Sequence, residues 1–275
     1  MPPTQAEKYD TFVALHEAPD IFVIPNPWDA GTARMLTTLG FPALATTSSG
    51  LAIGLARRSS AREVSRDAVL ENARTIAEAT PLPVSADLED CFGDTPEACA
   101  ETMRRAVAAG LVGGSIEDAN GGRETPIYDF GEAVERVSAV CEAVKGQPIL
   151  VTARADNFIN GRPDLDDTIE RLRAFSAAGA HVLYAPALPS LEAIRTLCGA
   201  VDKPVNVVMG LTGPVFTVAD LREAGVRRIS VGGAFARAAL GAFVRAAKEV
   251  AEKGSFDFAA DALSGAEIRR LLALD

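Results

Sequence analysis

Short apolar runs alternate along this chain with longer segments in which apolar residues recur every three and four positions. The runs cover residues 21–25, 43–47, 82–86, 112–116, 148–153, 180–184, 204–208 and 228–231, and they read as strands. Between them, segments such as 62–79, 132–144 and 166–178 carry a one-sided stripe. In the last, Ile169, Leu172 and Phe175 share a face, and Val137, Val140 and Val144 do so in the one before it. The strand-like runs are apolar on both faces, the pattern of a parallel sheet covered by helices. Gly40, Gly110, Gly179 and Gly225 each close a helix just before the next run, and Thr95-Pro96-Glu97 reads as an N-cap followed by proline at the first helical position. Eight β-α units predict an α/β fold, a (β/α)8 TIM barrel. The rival is an open doubly wound sheet, but the first β-α turn has no GxGxxG fingerprint. An extra helix at about 4–17 precedes the first strand. A helix at 235–251, a break at Gly254-Ser255 and a shorter helix at 265–272 follow the eighth. The expectation is one barrel domain, 1–275, with 253–275 as a helical tail.

Composition narrows the partners. With 275 residues, 48% hydrophobic and 23% charged, the chain has enough apolar material for one large core. A formal charge of −10 repels phosphate backbones and anionic lipid, so neither nucleic acid nor membrane is an expected partner. No apolar run reaches membrane-spanning length, and the N-terminal residues lack a basic stretch followed by an apolar one, so a cytoplasmic location is expected. The four cysteines, Cys91, Cys99, Cys141 and Cys198, have no metal-finger spacing.

In such a barrel the chemistry sits at the C-terminal ends of the strands. There the sequence places Asn26-Pro27-Trp28-Asp29, Thr47-Ser48-Ser49-Gly50-Leu51, Asp87 with Glu89, Glu117 with Asp118, Arg154 followed by Asp156 and Asn157, Asn206, and Gly232-Gly233. Strand six offers only Ala185-Pro186. Asp87 and Glu89 lie two apart and face one side of an extended backbone. Two like charges 4 Å apart repel by about 4 kcal/mol at an effective dielectric of 20. Converging Asp87, Glu89 and Glu117 therefore take up protons or hold a cation, and oxygen-only ligands suit Mg²⁺, or Mn²⁺, better than zinc. Asp90 and Asp118 are read as solvated loop acids or helix caps. Arg154 follows an apolar run and needs an anion, either Glu117 or a substrate carboxylate gripped by a bidentate fork. Ser49-Gly50 can form a small anion nest. His16 falls in the leading helix and His181 at the start of strand six, away from the mouth, so a histidine base or a Ser-His-Asp triad is not expected. Lys145 and Lys203 precede strands, which argues against imine chemistry. What remains is metal-assisted chemistry on a small anionic 2-oxo or 2-hydroxy acid, with an enolate formed as a bond breaks.

At these residues the sequence resembles the isocitrate lyase/phosphoenolpyruvate mutase superfamily, from about Phe22 to Phe256. The resemblance rests on Pro25-Asn26-Pro27-Trp28-Asp29-Ala30, Thr47-Ser48-Ser49-Gly50-Leu51-Ala52, Asp87-Leu88-Glu89, Ser115-Ile116-Glu117-Asp118, Ala153-Arg154-Ala155-Asp156-Asn157-Phe158 and Arg228-Ile229-Ser230-Val231-Gly232-Gly233. It implies a barrel whose last helix is exchanged with a neighbouring subunit in a homodimer or homotetramer. It implies Mg²⁺ near Asp87 and Glu89, with Glu117 acting through water. It places Thr47, Ser49, Gly50 and Leu51 around the substrate's carboxylate or carbonyl, joined by Arg154 and Asn206, and gives Arg154 and Glu117 catalytic roles. Members break or rearrange C–C or P–C bonds next to a 2-oxo acid.

Two loops depart from the pattern. Lyases of the isocitrate type carry a cysteine and a histidine after strand four, where this chain has Ala119-Asn120-Gly121-Gly122-Arg123-Glu124-Thr125-Pro126, which counts against isocitrate-type cleavage. An aspartate usual after strand two is replaced by Gly54-Leu55-Ala56-Arg57-Arg58-Ser59-Ser60, which counts against the mutase reaction. Arg57 and Arg58 either reach over the mouth or are solvated. Cys91 stands where many relatives have glycine and is read as a thiol filling a gap. The leading expectation is a Mg²⁺-dependent lyase cleaving a C–C bond in a small 2-oxo or 2-hydroxy (di)carboxylic acid. The alternatives are P–C chemistry of the phosphonopyruvate hydrolase or mutase type, and a barrel that binds its ligand without catalysis.

Overall fold

The computed structural model describes residues 2–58, 63–120, 125–211 and 213–274. The order of elements is α1 (Gln5–Glu17), β1 (Phe22–Ile24), α2 (Ala30–Thr38), β2 (Leu44–Ala45), α3 (Ser48–Gly54), α4 (Arg66–Glu78), β3 (Val84–Ala86), α5 (Pro96–Ala108), β4 (Gly113–Glu117), α6 (Phe130–Ala143), β5 (Leu150–Arg154), α7 (Leu165–Ala177), β6 (Val182–Tyr184), α8 (Leu191–Ala200), β7 (Val205–Val208), α9 (Val218–Glu223), β8 (Arg228–Ser230), α10 (Ala234–Lys253), a 3-10 turn (Asp257–Asp261) and α11 (Gly265–Leu272). All the strand pairs are parallel, in the order β1-β8-β7-β6-β5-β4-β3-β2. β1 and β2 share no ladder, but Ala45 N–H donates to Pro25 O at 3.0 Å and draws the ring nearly shut. This is the expected (β/α)8 TIM barrel.

Local chemistry explains the segmentation. Gly40, Gly110, Gly179 and Gly225 all have φ between 83° and 105°, the left-handed turn with which a helix stops before a strand. Thr95 caps α5 by accepting the Ala98 N–H at 3.3 Å. Most of the core lies between the strands and the helix ring, where Val137 and Val140 of α6 and Ile169, Leu172 and Phe175 of α7 are buried. A smaller apolar cluster fills the N-terminal end of the barrel, made by Phe22, Ile24, Ala43, Val112 and Leu150, with Phe12 of α1 driven in as a plug. Helix α1 thus seals the bottom of the barrel, and the top is left open.

At the other end of the chain, α10 buries only Ala236 and leaves Phe243 67% exposed. Gly254, at φ 68°, ends the helix, and the tail returns so that α11 packs on α2, where Thr38 Oγ1 donates to Ala273 O at 3.2 Å. Among the described residues no helix is long and apolar enough to cross a membrane.

Candidate active site

The strand ends surround an open cavity of about 1100 Å³. Thr47, Ser48, Ser49, Asp87, Glu89, Glu117, Arg154, Asp156, Tyr184, Gly232 and Gly233 all line it. Parallel register brings the central group together: Glu117 pairs with Arg154, and Arg154 with Tyr184, on successive strands. The Arg154 guanidinium lies 2.8 Å from Glu117, 3.1 Å from Asp156 and 3.6 Å from Asp87, over the Tyr184 ring at 4.8 Å. Of the two partners expected for Arg154, the protein supplies Glu117, and adds Asp156.

The electrostatics follow from burial. Loss of water pushes the Glu117 carboxyl well above the usual range; Arg154 pulls it back, while Asp156, Asp87 and Glu89 push it further. Asp156 is raised for the same first reason, against the pull of Arg154. Burial works against the Arg154 charge, but Asp156 and Glu117 outweigh it, so the guanidinium holds its proton more tightly than usual. Burial lifts the Tyr184 phenol to about 12.

The loop after β3 is pinned by backbone contacts. Asp87 N–H donates to Thr46 Oγ1 at 2.9 Å, Leu88 N–H to Ser115 Oγ at 3.2 Å, and the buried Arg136 donates to the carbonyls of Asp90 and Gly93 at 3.0 and 2.7 Å. Within it Glu89, Cys91 and Phe92 have φ of 50°, 62° and 53°, a left-handed run that side-chain-bearing residues adopt only when their surroundings impose it. Cys91 is fully buried, its thiol directed at Ser115 O at 3.5 Å and its pKa pushed far up by burial, so it packs the loop and lies away from the cavity.

Residues after β2 form a short helix, α3, where the sequence suggests only a small anion nest at Ser49-Gly50. Thr47 caps it through the Gly50 N–H, and both the backbone N–H and the hydroxyl of Ser48 donate to Asp87 Oδ2, at 3.1 and 2.8 Å. Gly50 is required there, because a Cβ would meet Thr47 Cγ2 at 2.7 Å and Trp28 Cβ at 2.9 Å. Gly50 and Leu51 support this turn from behind and do not line the cavity.

Some expectations are corrected. Asp118 is no solvated acid: it is 3% exposed, pairs with Arg171 at 3.1 Å and accepts the Asp156 N–H at 2.7 Å. Burial and the nearby Asp156 lift its pKa to about 7. It fixes the loop that presents Asp156. Asn206 lies beneath the mouth, donating to Ser230 Oγ at 3.0 Å and accepting from Arg228 Nε at 2.8 Å, and it is not in the cavity lining. Strand six contributes Tyr184 as well as Pro186 to the cavity, while Ala185 does not line it. Its signal was an aromatic ending an apolar run, which core packing also produces. His181 sits at the opposite pole, accepting the Val151 N–H at 3.1 Å, as expected. Residues 59–60 and 121–124 of the two departing loops lie outside the described residues.

The expected ligand set of Asp87, Glu89 and Glu117 is not a ready cage. Among the described residues no group of three or more His, Cys, Asp and Glu side chains is arranged to hold an ion, because Glu117 is spent on Arg154. Asp87 Oδ1, by contrast, is buried and accepts no hydrogen bond. Mg²⁺ ordinarily keeps several waters and uses one or two carboxylates, so the oxygen-only donors present fit it.

A family model for phosphoenolpyruvate phosphomutase matches residues 12–251. The chain belongs to the isocitrate lyase/phosphoenolpyruvate mutase superfamily. This superfamily member is 30% identical over 207 residues to 2-methylisocitrate lyase of Escherichia coli K12, covering 72% of this chain and 69% of that one. It superposes with a TM-score of 0.94 and 50% identity on a Burkholderia cenocepacia J2315 protein described only as a lyase/mutase, covering 98% and 97% of the two chains. It superposes at 0.86 with 26% identity on 2,3-dimethylmalate lyase, covering 99% and 96%. The superfamily comprises lyases and mutases, and this member is an enzyme.

Proposed function

We propose that the enzyme is a Mg²⁺-dependent lyase that cleaves a C–C bond in a small 2-oxo or 2-hydroxy (di)carboxylic acid through an enolate. The observation that carries this reading is the Arg154 guanidinium, clamped between Glu117, Asp156 and Tyr184 beside Asp87 Oδ1, a buried oxygen that accepts no hydrogen bond. Arg154 supplies the positive charge that the substrate carboxylate meets, held in place by the Glu117 and Asp156 carboxylates that engage its donors. Ser48 holds Asp87 in place, and Ser49, against Gly233, faces the same space. Asp87 would hold the ion, with Glu89 and Glu117 beside it. When bound, the ion supplies Lewis-acid stabilisation of negative charge on the substrate oxygen. The family model's own name favours a second reading, P–C bond chemistry on a phosphonate.

The test is a panel of 2-oxo acids, 2-hydroxy diacids and phosphonates with Mg²⁺, following pyruvate, glyoxylate and phosphate, with Asp87→Ala and Arg154→Ala as controls. Cleavage of a diacid that both changes abolish supports the lyase. Release of phosphate alone supports the second reading, and activity surviving chelation defeats both. We further place the enzyme in a reducing, cytoplasmic compartment, consistent with its four unpaired thiols. We also propose that α10 packs against a second copy of the chain in a homodimer or homotetramer, since its apolar face is uncovered in the single chain.

A further inference from the structure

The lyase reading leaves one role without an occupant: the acid that returns a proton to the enolate carbon. This inference rests on that reading. No histidine, lysine or cysteine lines the cavity among the described residues. The Ser48 hydroxyl is committed to Asp87, and Thr47 caps α3. Glu117 and Asp156 are tied to Arg154. Tyr184 is different. It ends β6, lines the cavity, and lies in register between Arg154 of β5 and Asn206 of β7. Its hydroxyl makes no hydrogen bond to any described residue.

A second observation bears on the same group. Arg228, next in register after Asn206, is a buried guanidinium at the barrel axis. Its donors reach Asn206 Oδ1 at 2.8 Å, Thr152 Oγ1 at 3.1 Å and His16 Nε2 at 3.3 Å, all neutral. Among the described residues it has no carboxylate within ion-pair distance; burial loosens its hold on its proton, and the Tyr184 phenol offsets only part of that. A buried cation without an anion is costly in a resting protein. It becomes useful if an anion forms beside it during turnover. Tyr184 therefore stands between two cations, Arg154 stacked on its ring and Arg228 beyond Asn206.

We propose that Tyr184 is the general acid, and that Arg154 and Arg228 together stabilise the phenolate it leaves. For a 2-oxo diacid with its hydroxyl on carbon 4, so that the departing fragment is the enolate of pyruvate, the step balances. A mouth carboxylate takes the hydroxyl proton, the O–H pair becomes a carbonyl, and the C–C pair passes to the departing fragment as an enolate. The enolate carbon takes the Tyr184 O–H proton to form a C–H bond. The carboxylate's proton then returns to the phenolate through solvent, so no external oxidant or reductant is needed.

Exchange of pyruvate methyl protons in D₂O, followed by NMR with Mg²⁺ and the purified enzyme, reads this proton transfer directly. Wild type is expected to catalyse exchange. Tyr184→Phe keeps the ring on Arg154, so pyruvate affinity should stay within about threefold while exchange falls about 10²- to 10⁴-fold, the span of a general acid. Tyr184→Leu, which also removes the stack, should weaken pyruvate binding as well. Exchange by the Phe variant at the wild-type rate overturns the proposal, and so does wild type that exchanges no faster than buffer. Tyr184-dependent exchange without diacid cleavage would uphold the acid while removing the lyase reading. Cleavage unchanged by Tyr184→Phe would do the reverse.

Discussion

Replacing Arg154 with methionine keeps most of the side-chain volume and removes the charge. Three acids surround the guanidinium, at 2.8, 3.1 and 3.6 Å, so the variant leaves a cluster of buried carboxylates with no cation. Each pair at about 4 Å is worth about 4 kcal/mol at an effective dielectric of 20. The gross loss is not realised, because Glu117 and Asp156 respond by staying protonated. Breaking a buried pair by removing one partner costs about 3–5 kcal/mol net. For a domain of this size, with an unfolding entropy of about 2.1 cal/mol/K per residue, that is a fall of about 5–9 °C in melting temperature. The pH dependence is the sharper part. Both carboxyls already sit above their usual range, and without Arg154 they rise further. A carboxyl with a raised folded-state pKa favours folding when protonated and loses that contribution as pH climbs through the folded pKa. The gap between wild type and variant should therefore be small near pH 5 and wide at pH 8. Thermal melts at both pH values, in the absence of any ligand, read it. A variant as stable as wild type at pH 8, or a deficit independent of pH, would refute the picture of one cation holding the acids together.

Other substitutions probe separate parts of the account. Gly50→Ala forces a Cβ against Thr47 and Trp28 and should cost about 1–3 kcal/mol, measured by denaturant unfolding, with impaired turnover because α3 carries the Ser48 contact to Asp87. Cys91→Ala removes a buried packing atom and should cost about 1–2 kcal/mol while kcat/KM stays within threefold; a hundredfold loss would make Cys91 chemical after all. Phe243→Asp places a charge on the exposed face of α10 and should convert the proposed oligomer to monomer in sedimentation velocity, whereas an unchanged sedimentation coefficient removes the proposed interface.

The barrel was legible because its signals are local and repeated: eight apolar runs, four of them just after a helix-ending glycine. The rim acids and Arg154 were legible because strand ends can be counted. What escaped has a common cause. Tyr184, Asn206, Arg228 and Asp118 acquire their roles from neighbours across the sheet, and register is not written in any one segment. Asp156 stood in plain view two residues after Arg154, yet only the bend at the strand's end brings its carboxylate back onto the guanidinium. Asp118 looked like a loop acid because its partner Arg171 is 53 residues away. α3 escaped because seven residues rich in serine and glycine carry little helical signal.

The central claim is that a 2-oxo acid's carboxylate and a divalent ion meet between Arg154 and Asp87. Crystals grown with Mn²⁺ and oxalate, examined by anomalous scattering, test it most directly. The account predicts one strong peak within coordination distance of Asp87 Oδ1 and an oxalate carboxylate against the Arg154 guanidinium. A peak elsewhere on the chain, or oxalate bound with Arg154 left facing only its own acids, would contradict it.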